Sequence, residues 1–203
     1  MLVVLTAPVI VPLVLLLALV VLLDGGNPFY SQERIGRNGR HYRIWKLRSM
    51  VVNADQRLAE YLEQNPGARA EWDNTQKLRD DPRVTRFGRI LRKCSLDELP
   101  QLWNVFRGDM SLVGPRPEVP RYMALYPDEA RQRILSVRPG ITDRAAIEFR
   151  DEELLLAHAT DPERVYVERI MPVKLRYYLD YVAHRSLAGD ARILFDTVRA
   201  LLR

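Results

Sequence analysis

Met1 to Leu23 reads MLVVLTAPVIVPLVLLLALVVLL, a run with no charged residue and with Thr6 as its one hydroxyl. As a straight helix it is ~35 Å long at ~1.5 Å per residue, enough to span a hydrocarbon core of ~30 Å. The Lys, Arg, Asp and Glu all lie downstream, in residues 24–203. The chain therefore divides into a greasy segment, 1–23, and one polar body, 24–203. No second uncharged run of comparable length exists, which excludes a polytopic membrane protein. The segment is a poor signal peptide: it has no basic leader, and Asp24-Gly25-Gly26 is a poor cleavage site. A plain anchor remains, as does a helix kinked at Pro8 and Pro12 that enters the membrane and turns back. Arg34, Arg37, Arg40, Arg43, Lys46 and Arg48 follow the segment, and by the positive-inside rule they place the body in the cytoplasm.

With 203 residues, 47% of them hydrophobic, the chain is not disordered. Its net charge is +5, and only Lys46, Lys77, Lys93 and Lys174 among its 31 basic residues are lysines. Arginine offers a planar fork that suits phosphate. This basic balance fits anionic lipid, nucleotide-like substrates or nucleic acid equally. Cys94 is the one cysteine, so no internal disulfide forms, and the three scattered histidines make no metal-ligand spacing.

The body reads as mostly α with a few short β strands. Asn38-Gly39 is a hairpin-turn signal ahead of a strand at Tyr42 to Leu47. Helices are expected over Ala54 to Gln64, Ala68 to Leu78 and Val84 to Arg92, the last with Phe87, Ile90 and Leu91 on one side. Leu96, Leu99, Leu102, Trp103 and Phe106 recur at helical spacing and stop at Gly108. Asp161-Pro162 opens a long helix to about His184, with a kink at Pro172. Leu187 to Leu202 carries one apolar stripe through Leu187, Ala191, Leu194, Val198 and Leu201. Arg192, Arg199 and Arg203 on this helix are placed to meet lipid phosphates at an interface. Packing on its own domain is an equal reading of the same stripe.

Arg92-Lys93-Cys94-Ser95-Leu96-Asp97-Glu98 carries the chemistry. Ser95 followed by Glu98 is a capping-box pattern, so a purely structural reading is available. The same place is an anion site, where a helix start and nearby cations favour phosphate. A carboxylate held there stays ionised, as a nucleophile requires, and a second beside it can hold a divalent metal through oxygen. Downstream, Pro115-Arg116-Pro117 fixes an arginine on a stiff backbone. Arg138-Pro139-Gly140 presents another at a turn.

At these residues the chain resembles the bacterial sugar transferase family, the monotopic phosphoglycosyl transferases. The resemblance runs from about Pro8 to Asp190. It is strongest at Gln32 to Gly36, Lys46 to Met50, Asp81 to Thr85 and Ser95 to Pro117. It implies transfer of a phospho-sugar from a nucleotide diphospho-sugar, a UDP-sugar, to polyprenol phosphate at the cytoplasmic face of the bacterial inner membrane. The family's dyad matches Asp97, the nucleophile that forms a covalent aspartyl intermediate, and Glu98, which assists and helps hold Mg²⁺. Substrate-binding positions match Lys46, Arg48, Arg92, Pro115, Arg116, Pro117 and Arg138. Pro8 matches the proline at which the family's re-entrant helix breaks. Anionic lipid is an expected contact, and a homodimer is left open. Two departures stand out. Relatives carry a further basic-then-apolar stretch before the proline, where seven residues precede Pro8 here. Relatives also read Gly-Ile-Thr-Gly-Trp where this chain has Gly140-Ile141-Thr142-Asp143-Arg144, so the sugar is not carried over. A non-catalytic membrane scaffold is the alternative, opposed by the intact dyad. A nucleic-acid binder lacks a reading helix or an aromatic platform.

Overall fold

The computed structural model describes residues 2–75, 78, 80–150, 152, 156 and 161–201. Helix α1, Leu2–Leu22, holds Pro8 and Pro12 inside it. It is long and apolar enough to cross a membrane by length and composition. Its chain-end turns are not free. Ala18 and Val21 are buried with Leu47 and Leu91, and Phe29, Phe87 and Leu96 pack around them.

The breaker cluster Asp24 to Pro28 leads into β1, Phe29–Ile35, which pairs antiparallel with β2, His41–Leu47, from Phe29 opposite Leu47 to Ile35 opposite His41. The turn between them puts Asn38 at φ 58° and Gly39 at φ 74°, the left-handed pair that Asn-Gly hairpins need. Helices α2, Ala54–Gln64, and α3, Pro66–Thr75, follow. The expected end of α3 at Leu78 is corrected, since Leu78 is not helical, and residues 76 and 77 lie outside the described residues. Helix α4, Arg86–Lys93, is capped by Thr85, whose hydroxyl accepts from the Gly88 N–H. A one-turn 3₁₀ segment, Leu96–Glu98, joins it to α5, Gln101–Arg107, which ends at Gly108 with φ 83°.

One expectation about a face is corrected here. Ile90 points outward on α4 while Leu91 is buried. On α5, Trp103 and Phe106 are 54% and 60% exposed and stack on each other, and the buried positions are Gln101 and Asn104. The helix is inside out because its inner face must satisfy backbone, not fill an apolar core. Asn104 Oδ1 accepts from the Trp45 N–H, and its Nδ2 donates to Arg43 O, which fastens α5 to β2.

Strand β3, Ser111–Val113, pairs in parallel with β4, Gly140–Thr142, across α6, Pro120–Met123, and α7, Asp128–Leu135. Their junction admits no side chain: a Cβ on Gly140 would lie 2.1 Å from Gly114 N. Beyond α8, Arg144–Glu148, lies α9, Pro162–Val165. It widens into a π turn, Tyr166–Ile170, and continues as α10, Met171–His184. The π turn sits just before Pro172, whose missing N–H and ring it accommodates. Met171, Leu175 and Tyr178 of α10 join Ile35, Met123, Tyr126, Ile134 and Ala145 in the main core.

Helix α11, Leu187–Leu201, closes the described chain. It packs inward through Ile193 and through Thr197, whose hydroxyl meets that of Thr142 at 2.8 Å. The stripe of Leu187, Val198 and Leu201 faces out, with Leu187 89% exposed. Leu202 and Arg203 lie outside the described residues. The body is thus mostly helical with four short strands among the described residues, as the sequence implies.

Candidate active site

Three apolar residues packed on the end of α1 each have a chemical neighbour in sequence. Leu47 follows Lys46, Leu91 precedes Arg92, and Leu96 precedes Asp97. Burying the one against α1 brings the other to a common place. The turn that does this for Asp97 is sharp. Ser95 stands at φ 53°, in the left-handed region that non-glycine residues occupy at a cost. The capping-box expectation is corrected: Ser95 makes no side-chain cap, and Glu98 does not reach back. Glu98 is instead held by cations from two other parts of the fold.

Lys46 Nζ donates to Glu98 Oε1 at 2.7 Å, and Arg116 Nη2 donates to the same oxygen at 3.2 Å. Lys46 Nζ also lies 4.0 Å from Asp97 Oδ2, so one ammonium spans both carboxylates. Arg116 is presented by a pinned loop. Pro115 O accepts from the Gly140 N–H at 2.9 Å, and Pro117 O accepts from Arg34 Nη1 at 3.3 Å. Both prolines are buried, so the guanidinium has little freedom to leave. Arg92 donates from Nε to Ser49 Oγ at 2.9 Å, which ties α4 to the segment after β2.

The two carboxylates are driven apart electrostatically. Burial lifts the Asp97 carboxyl above the usual aspartate range; Lys46 and Arg92 pull it down, while the Glu98 charge adds to the rise. Burial opposes ionisation of Glu98 as well, but Arg116 and Lys46 outweigh it and hold that carboxyl at about 2. Glu98 in turn raises the Arg116 guanidinium further above its usual value. Glu98 is therefore a permanent anion whose charge is already spent. Asp97 is a buried carboxylate with less compensation and with oxygens free to act. Pairs pushed apart in this way mark a division of roles.

The signs for stability differ accordingly. Glu98 contributes stability above the ordinary glutamate value, and this is lost as pH falls toward 2. Asp97, with its value raised, costs stability as it ionises with rising pH.

The remaining expected positions are placed elsewhere. Arg48 donates to the backbone carbonyls of Asn27 at 2.8 Å, Met50 at 2.9 Å and Val21 at 3.2 Å, and also to Gly25 O. It closes the C-terminal end of α1 and the loop after it. Arg138 points to Gly108, where an added Cβ would meet its Nη2 at 3.7 Å. Lys46, Arg92, Arg116, Asp97 and Glu98 are thus brought together with Pro115 and Pro117, whereas Arg48 and Arg138 make no hydrogen bond or ion pair with either carboxylate. Asn104 escaped the sequence reading, although it is only 1% exposed and locks β2 beside the dyad. Its signal was a polar residue inside an apolar stripe, on the face opposite Trp103 and Phe106.

The dyad suits a hard divalent cation in chemistry. Asp97 and the Glu98 oxygen not used by Lys46 and Arg116 are two oxygen donors. No cluster of three or more acidic, His or Cys side chains exists among the described residues. Two carboxylates with the rest of the shell from substrate phosphate is the pattern Mg²⁺ accepts.

The site is a pair of carboxylates held by two cations, packed against the C-terminal end of an apolar helix, and charge-assisted pairs of this kind suit phosphate. The chain belongs to the bacterial sugar transferase family, whose model matches residues 1–203. It is 41% identical over 196 residues to a UDP-galactose-lipid carrier transferase of Erwinia amylovora, covering 96% of this chain and 37% of that protein. It is 42% identical over 187 residues to an exopolysaccharide production protein of Sinorhizobium fredii, covering 92% of this chain and 75% of the relative. An undecaprenyl-phosphate galactose phosphotransferase of Salmonella typhimurium is 40% identical over 194 residues, 95% of this chain and 37% of the relative. The chain therefore spans little more than a third of two of these relatives.

Proposed function

We propose that the chain moves a phospho-sugar from a nucleotide diphospho-sugar to polyprenol phosphate through a covalent aspartyl intermediate. The observation that carries this reading is the unequal dyad: Glu98 is neutralised by Lys46 and Arg116, and Asp97 is left as the available oxygen nucleophile. An Asp97 carboxylate oxygen attacks the sugar-bearing phosphorus. The bond from that phosphorus to the bridging oxygen breaks, and the nucleoside monophosphate leaves with the electron pair. An oxygen of polyprenol phosphate then attacks the same phosphorus. The acyl-phosphate bond breaks, and Asp97 returns as a carboxylate. Lys46 and Arg116 stand where charge on the diphosphate needs compensation. Mg²⁺, when bound by Asp97 and Glu98, neutralises further charge there.

The relatives' names support a uridine diphosphate donor and an undecaprenyl acceptor. Packing of Leu47, Leu91 and Leu96 on α1 supports delivery from the bilayer, because it keeps the dyad at the base of the apolar helix. The basic run from Arg34 to Arg48 supports the cytoplasmic face of the inner membrane. The test is nucleoside monophosphate release by the purified full chain, over a panel of UDP-sugars, with and without polyprenol phosphate. Sustained release is expected with one donor only when the acceptor is present. Chelation is expected to abolish it and Mg²⁺ to restore it. No release with any donor, or full activity after exhaustive chelation, contradicts the corresponding part of the reading.

The raised Asp97 value sets a pH dependence. The acid limb of kcat/KM is expected above the free aspartate value of ~3.9. Lys46→Gln removes a charge that favours the carboxylate, so the limb moves to higher pH even as the rate falls. Lys46→Arg is expected to move it back. A limb indifferent to both substitutions rules out Lys46 as the group tuning Asp97.

A further inference from the structure

Away from the dyad, a cavity of about 200 Å³ is lined by Arg37, Arg138, Arg185, Ser111, Ser136 and Tyr181. The three arginines come from separate parts of the chain: the β1–β2 hairpin tip, the α7–β4 loop, and the α10–α11 junction. None of them makes a side-chain hydrogen bond or an ion pair with a described residue. The carboxylate nearest in the bonding network, Asp190, lies 3.0 Å from the Tyr181 hydroxyl, which is also 3.0 Å from Val113 O. Three guanidinium groups around one cavity repel each other, and an anion among them relieves that repulsion.

The walls are built to hold shape. Arg138 precedes Pro139 and Gly140. Pro139 O accepts from the Ser111 N–H at 2.8 Å, and Gly140 is locked against Gly114. Tyr181 braces α10 on β3. Ser136 Oγ donates to Arg133 O at 2.6 Å, which leaves its oxygen fixed in place. The Arg138 guanidinium also lies at the C-terminal end of α5, next to Gly108. Along β2, the hairpin tip is separated from Lys46 by His41 to Arg43 and beyond, ~17 Å at ~3.3 Å per residue. None of the cavity's lining residues contacts Asp97 or Glu98.

We propose that it is a second anion site, which takes a phosphate or diphosphate group. Forked donors from three arginines match phosphate oxygens. A volume of about 200 Å³ gives room for a phosphate or diphosphate group. Two sources offer that chemistry: a soluble phosphate compound and the phosphate of an anionic lipid head group. Of its residues only Arg138 is among the positions that the family resemblance assigns to substrate, and Arg37 and Arg185 have no part in the transferase reading.

The test uses the full chain in neutral detergent with Lys46→Gln, so that the dyad site is disarmed. Inorganic pyrophosphate is titrated calorimetrically, and in parallel phosphatidylglycerol is added to the micelles while thermal unfolding is followed. If the source is soluble, pyrophosphate binds, and Arg138→Gln with Arg185→Gln weakens it at least tenfold. If the source is lipid, phosphatidylglycerol raises the melting temperature, and the same pair of substitutions removes the rise. Arg37→Gln, at the hairpin tip, is expected to weaken the same anion severalfold without the other two changes. Neither anion acting on the Lys46→Gln chain overturns the proposal. So does equal action on the chains with and without the arginines.

Discussion

Replacement of Asp97 by Asn is expected to leave a folded protein with essentially no turnover. Asparagine keeps the shape and the burial of the side chain but has no anionic oxygen to attack phosphorus. The fold is expected to survive because Asp97 is a costly residue where it stands. Burial lifts its carboxyl above the usual range, so ionisation at neutral pH opposes folding. The melting temperature is therefore expected to be unchanged or higher. Glu98→Gln is the contrasting substitution. It removes the anion that Lys46 and Arg116 both contact, and it is expected to lower stability by about 3 kcal/mol. Activity of Asp97→Asn within tenfold of the parent, about 1.4 kcal/mol of barrier, removes Asp97 from the role of nucleophile.

Gly88→Ala is expected to be among the most damaging small substitutions in the body. A Cβ at Gly88 would stand 2.0 Å from Ser49 O, 2.7 Å from its carbonyl carbon and 2.9 Å from its Cα. All three are backbone atoms, so no side chain can swing away. The contact is also held from other directions. The Thr85 N–H donates to Ser49 O at 3.1 Å, Met50 bridges Val84, and Arg92 holds Ser49 Oγ. Separation of α4 from Ser49 would displace the turn that carries Asp97. The expected cost is at the top of the overpacking range, ~3 kcal/mol, with activity lost at temperatures where the parent is folded. Gly67→Ala, with nothing within 4 Å of the added Cβ, is the control and is expected to change stability little. Equal melting temperatures for the two variants contradict the close packing of α4 on Ser49.

Local signals in the chain carried much of this arrangement. Asn38-Gly39 marks the hairpin because two adjacent left-handed residues are cheap there and costly elsewhere. Gly108 ends α5 for the same reason. Asp97, Glu98, Arg116 and Lys46 are legible as charges in unusual settings, and the fold gathers them. What stayed hidden depends on tertiary partners. Ser95 and Glu98 satisfy the capping-box spacing, yet Lys46 and Arg116 compete for Glu98 and the turn at Ser95 is left-handed. Arg48 and Arg92 look alike in sequence, but one closes the end of α1 on four carbonyls and the other lies within electrostatic reach of Asp97. Arg138 sits in a motif that reads as part of the phosphate site, and only the β3–β4 pairing directs it to the far end of α5. The periodicity of α5 and α11 is correct, but on α5 the polar Gln101 and Asn104 face the protein while Trp103 and Phe106 face out, and on α11 Ile193 packs inward while Leu187, Val198 and Leu201 stay exposed.

The covalent step is the centre of the proposed function, and intact-mass spectrometry tests it most directly. The purified chain is mixed with the donor sugar nucleotide alone, with no polyprenol phosphate, and quenched within a turnover. The expected result is a gain of one phospho-sugar mass, carried on the peptide that contains Asp97, absent from Asp97→Asn, and discharged when polyprenol phosphate is added. Product formation with acceptor present, no adduct at any time, and initial-rate lines that intersect would mean direct transfer in a ternary complex and would contradict the aspartyl intermediate.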